Sequence, residues 1–231
     1  MDKPRKTPHA SDKASCKAPK PRPSRLPITA PKYVRDRDEV DTLAPTSPHK
    51  ALEIARNITQ PWYRTQSLAT VAFYIPEPEK KLALLHQAFA AAQEQHEPNR
   101  IVTVSSWPLD IARRLKYWPL LEQITPRLLA IIRQEESPVR RSHALYYTLE
   151  ALADAPPVLV LPVLEAFLEA CMQPLRNGKC NRRGERYLVQ MLPLIRVYAP
   201  ERIELLLAQL HGAYRQNEAR ALLEKSRKWT L

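Results

Sequence analysis

Apolar positions in this chain recur at three- and four-residue steps between prolines that are themselves regularly spaced. Pro78, Pro119, Pro157 and Pro200 each stand where an apolar helical stretch begins, at intervals of 41, 38 and 43 residues. A second set of starts, at Pro61, Pro98, Pro138 and Asn181, runs at intervals of 37, 40 and 43 residues. In the stretch opened by Gln60-Pro61, Leu68, Val71, Ala72 and Ile75 lie on one face, the pattern of an amphipathic helix. Proline is tolerated at a first helical position because the N–H it lacks would be unpaired there anyway. Ser47 before Pro48 reads as the N-cap of the earliest helix, which should run to about Thr59, and a last helix is expected near residues 217 to 228. Self-similarity at a period of this size means one helical hairpin stacked several times.

Leu121-Glu-Gln-Ile124-Thr-Pro126-Arg-Leu128-Leu129, followed by Ser137-Pro138-Val139-Arg140-Arg141-Ser142-His143-Ala144-Leu145, carries a family resemblance. It resembles the HEAT repeat, in which an interior proline kinks the first helix and a Val-Arg pair followed by Ala and Leu starts the second. Leu161-Pro162-Val163-Leu164 repeats the first half, while residues 78 to 95 lack the interior proline and Pro108 falls inside a second helix instead. The resemblance covers about residues 48 to 216. It implies an all-α fold, a right-handed α-solenoid of about four to five HEAT-like hairpins over residues 47–231, with the second helices lining the inner surface. Pro108, Pro126 and Pro162 each remove a backbone hydrogen bond and should bend their helices.

Composition narrows the classes. Three glycines in 231 residues leave no material for phosphate-cradling loops or tight hairpins, which argues against nucleotide-binding turns and strand-rich folds. No long apolar run reads as a membrane span or signal peptide, so a cytoplasmic protein is expected. Cys16, Cys171 and Cys180 make a poor disulfide framework, which agrees with a reducing compartment. Residues 1 to 32 hold nine basic residues and two acidic ones, +7 of the +12 total, with seven prolines and no apolar pattern until Tyr33. Residues 1–46 are therefore expected to be a disordered basic tail with a mixed-charge linker from 33 to 46. The tail is either a polybasic arm for anionic surfaces or a solubilising extension.

Charge also sorts by helix type. The second helices hold ten arginines against Asp110, Glu150 and Glu185, a balance of +7, whereas the first helices carry eight bases and eight acids. Arginine forks match carboxylates and phosphates bidentately, so an inner arginine surface points to an acidic protein segment or, alternatively, a nucleic acid backbone. Arg64, Arg100 and Arg141 can equally tie neighbouring repeats together. Arg113, Arg114, Arg140, Arg182, Arg183 and Arg186 are the candidate ligand-binding residues. Trp62, Tyr63, Phe73, Tyr74, Trp107, Tyr146, Tyr147, Tyr187 and Tyr198 gather in the same helices, where rings at helical spacing are read first as core and second as stacking platforms.

Catalytic chemistry is sparse. Cys171 and Cys180 are not at a zinc spacing and no histidine pair completes four ligands, so no metal or cofactor is expected, and the two are read as a packed thiol and a loop thiol. His86, His96, His143 and His211 are isolated in sequence. Trp107 and Asp110 share one helical face, a combination found in HEAT-like DNA glycosylases, but no longer motif accompanies them. The reading that results is a non-enzymatic adaptor or scaffold whose arginine surface holds an acidic segment, with a nucleic-acid-binding solenoid as the alternative.

Overall fold

The computed structural model describes residues 30–175 and 178–227, which form eleven α-helices and no strand. These are α1 (Lys32–Leu43), α2 (Pro48–Asn57), α3 (Pro61–Tyr74), α4 (Pro78–Gln93), α5 (Pro98–Arg114), α6 (Trp118–Ile132), α7 (Pro138–Ala151), α8 (Pro157–Met172), α9 (Arg182–Tyr198), α10 (Ile203–Gln209) and α11 (Ala213–Arg227). A 3-10 turn, Pro200–Arg202, precedes α10. None of the described helices is long and apolar enough to cross a membrane. The basic tail lies almost wholly outside the described residues.

The punctuation that marks the starts is physical. Proline occupies a first or second position in α2 to α8 and in the 3-10 turn. Side-chain caps hold three of the second-type helices: Gln60 accepts from the Tyr63 amide, Ser137 from the Arg140 amide and Asn181 from the Gly184 amide. Each satisfies one of the donors that a helix start leaves open. Pro108, Pro126 and Pro162 sit inside α5, α6 and α8 as expected, and Pro193 is a fourth interior proline, in α9.

Two expectations are corrected. Residues 33 to 46 are not a linker: α1 packs on both α2 and α3, buries Val40 completely, and leads into the buried Ala44. The first helix expected over 200 to 216 is cut short. Pro200 begins a 3-10 turn, α10 stops at Gln209, and Leu210 turns extended ahead of Gly212, whose φ of +86° takes the chain into α11 earlier than anticipated. A left-handed backbone is the conformation that glycine adopts without strain.

α1, α3, α5, α7, α9 and α11 pack successively in one row, and the intervening helices lie against that row. The core runs between the two sets. Leu68, Leu85, Leu109, Leu121, Leu145, Leu164, Phe167 and Leu192 are buried along it, each contributing about 1.5–3 kcal/mol of transfer free energy. Tyr198 reaches from the end of α9 to donate to the Ala155 carbonyl at 2.8 Å, tying α9 to the loop that follows α7.

Candidate functional site

The candidate arginines lie on the polar sides of α3, α5, α7 and α9, whose apolar sides are spent on the core. The arginines there divide into two groups. Arg113 is a strut: its Nε donates to the Ala151 carbonyl at 2.9 Å, its fork holds Asp110 at 2.7 Å, and Asp154 lies 3.9 Å away. Arg114 takes the other oxygen of Asp110 at 3.2 Å and lies over the Phe73 ring. Arg64 binds the Ile58 carbonyl and Glu94, and Arg141 forks onto the Glu135 carbonyl. Arg196 donates to the Leu223 carbonyl and so joins α9 to α11.

These contacts remove Arg113 and Arg114 from the free arginine surface. With the side chain of Arg113 only 19% exposed, Arg113→Ala should lower unfolding free energy by about 1–3 kcal/mol, since it leaves the Ala151 carbonyl and one Asp110 oxygen without their donor. Urea denaturation is the measurement. Arg182→Ala, at an exposed position without a described partner, should stay within about 0.5 kcal/mol.

The second group is available. Arg182, Arg183 and Arg186 are exposed on the first turns of α9, and no described residue pairs with them. Arg140 pairs with Glu97 at 3.4 Å across an exposed contact, worth at most about 1 kcal/mol, so an incoming anion can displace it. Arg100 has no carboxylate partner among the described residues and lies 5.7 Å over Trp62.

Between these arginines the rings form three groups. Tyr33 stacks on Tyr63 with centroids 5.1 Å apart, and Arg37 lies over the Tyr63 ring. Trp62 meets Trp107 edge to face at 6.1 Å. His143 contacts both Tyr147 and Tyr187, and Tyr146 contacts both of those tyrosines. A cleft of about 440 Å³ lined by Tyr33, Gln60, Trp62, Tyr63, Asn99, Arg100, Thr103 and His143 connects the first rings to the last. A second cleft, about 260 Å³, lies between Trp107, Asp110, Tyr147 and Glu150. Asn99 Oδ1 is buried at the first cleft without a hydrogen bond from any described residue. Most of these rings are half-buried and Trp107 is exposed, so they reach the surface, while Tyr146 and Tyr187 also pack against the core.

Electrostatics along these rings favour anions at one end. Burial, with the Arg183 charge adding to it, holds the His143 pKa below its ordinary value. The ring is therefore neutral at neutral pH. Because its folded value is lowered, the stability it supports is intact above the ordinary histidine pKa and falls as pH drops through it. Burial and then the Glu150 hydrogen bond raise the Tyr146 pKa, keeping the phenol protonated. Burial likewise raises the Cys171 thiol, which is inert in the core, while Cys180 is half-buried in a loop.

Trp107 and Asp110 stay close, but both Asp110 oxygens are engaged by arginines, which leaves that carboxylate poorly suited to act as a base. Phe73, Tyr74, Tyr146, Tyr187 and Tyr198 pack against the core, in keeping with the first reading of the rings from sequence. Tyr33 and Arg37 were missed with α1 itself. No protein-family model, curated protein sequence or solved structure matches the chain.

Proposed function

We propose that this chain is a non-enzymatic binding module, an α-solenoid of the HEAT kind, whose ring-lined face takes a single-stranded nucleic acid. The observation that carries this reading is the alternation of rings and arginines across α1, α3, α5, α7 and α9, ending in the unpaired bank Arg182, Arg183 and Arg186. Bases stack on aromatic faces irrespective of sequence, and arginine forks hold the phosphates between them. Asn99 and Gln60 would offer amide contacts to a base edge in the larger cleft. The packing of helices in a single row supports the solenoid reading, since each hairpin then touches only its neighbours.

A second reading, an acidic protein segment, is favoured by the arginine bank taken alone, because three free forks suit carboxylates as well as phosphates. The two separate experimentally. Nuclease-treated protein should bind a labelled short oligothymidine in fluorescence anisotropy more tightly than a poly-glutamate peptide of equal charge. Tyr187→Ala should cost the oligonucleotide about 1–3 kcal/mol, the worth of one stacked base, and leave the peptide unaffected. Preference for the peptide, with no effect of Tyr187→Ala, transfers the function to the acidic segment.

A further inference from the structure

At the C-terminal end of the fold three unlike metal-ligating groups meet, two of them five residues apart and the third brought in from the next turn. Cys180 ends the loop before α9, Glu185 lies in the first turn of α9, and His211 sits in the turn between α10 and α11. The Cys180 sulfur, a Glu185 carboxylate oxygen and a His211 ring nitrogen all lie within 4.8 Å of one another. Glu185 is only 5% exposed. Its Oε1 accepts from the His211 amide at 3.1 Å and is also in contact with the imidazole Nδ1. Burying a carboxylate is costly unless it is paired or coordinated.

The backbone around the three groups is fixed. Asn181 Oδ1 accepts from the Gly184 amide at 2.9 Å, its Nδ2 donates to the Ala170 carbonyl at 3.1 Å, and the Glu185 amide donates to the Asn181 carbonyl at 2.9 Å. Only the His211 side chain, 65% exposed, has much freedom. We propose that Cys180, Glu185 and His211 form a binding site for one divalent transition-metal ion of the zinc type, fastening the α10–α11 turn to the start of α9.

The donor set selects the ion. A thiolate, an imidazole and a carboxylate suit borderline-soft zinc or cobalt and not calcium or magnesium, and three protein ligands leave a fourth position for water. Thiolate and carboxylate together carry two negative charges, which neutralise a divalent ion. On binding, the Cys180 thiol gives its proton to solvent, the imidazole N–H takes the ring nitrogen that faces away from the metal, and the Glu185 to imidazole contact is replaced by two bonds to the metal. Tetrahedral bonds of this kind set ligand atoms roughly 3.5 Å apart, and rotation of the exposed imidazole supplies the adjustment. The three ligands are none of the rings or arginines assigned to the ring-lined face, and the test below does not depend on what that face binds.

The test uses the untagged full chain, reduced and stripped of metal, titrated with cobalt(II) and then zinc(II). One equivalent of cobalt should give a thiolate-to-metal charge-transfer band with the visible bands of tetrahedral cobalt, and zinc should abolish them and raise the melting temperature. Cys180→Ser should remove the charge-transfer band and His211→Gln should weaken cobalt binding at least about tenfold, whereas Cys16→Ser should change neither. Circular dichroism checks that each variant keeps its helices, and if Cys180→Ser does not, His211→Gln at its exposed position decides alone. Absence of a thiolate band in the unmodified chain, or cobalt binding unaltered by His211→Gln, overturns the site.

Discussion

Alanine at position 184 is expected to destabilise the protein by about 1–3 kcal/mol, the usual cost of forcing an atom into a packed position. A Cβ there would lie 2.6 Å from the Asn181 side-chain nitrogen and 2.9 Å from the Cα of Cys171. The second contact is with backbone, which cannot rotate away. The first strikes the residue that caps α9, and losing that cap adds about 1 kcal/mol. Urea denaturation of Gly184→Ala beside Gly212→Ala makes the comparison, because nothing lies within 4 Å of a Cβ at Gly212 and only its positive φ is strained. A midpoint for Gly184→Ala equal to that of the unmodified chain would mean that α8 and α9 are not held at this approach.

Replacing Arg182, Arg183 and Arg186 together with alanine should produce the largest loss of binding while the fold survives. All three are exposed and none has a described partner, so their removal strands no buried group. If each holds one phosphate, the dependence of log affinity on log salt should become shallower by roughly two, at about 0.7 per phosphate for a single strand. Anisotropy titrations at several salt concentrations measure it. An unchanged slope with unchanged affinity would take the α9 bank out of the interface, and a triple variant that loses its helices would make these arginines structural.

Much of the fold could be read from the chain because its helix starts are chemically marked. Proline at a first position, Asn181 as a cap and Ser137 before Pro138 announce boundaries that the structure keeps to within a residue or two. Helix α1 was illegible for the opposite reason. Its segment has mixed charge and few apolar residues, and its order comes from docking Val40 and Ala44 against neighbours rather than from a stripe of its own. The arginine candidates were half legible. Their number and helix type are in the sequence, but Glu94, which engages Arg64, was counted with a first helix, and Glu97, which engages Arg140, lies in the turn before α5. Asp110 alone takes up both Arg113 and Arg114. Cys180, Glu185 and His211 carry no spacing signal at all, since the fold alone brings His211 back to α9.

The single-row packing has a kinetic consequence. Substantive contacts join helices no more than two apart along the chain, so little loop-closure entropy stands between the unfolded chain and its first native contacts. Such a chain can nucleate at any hairpin and grow outward, and it opens from its ends inward. Amide exchange should then be slowest for α5 to α8 and fastest for α1 and α11. The arginine bank on α9 lies near one of the two ends that loosen, where a ligand can trade some of that looseness for order.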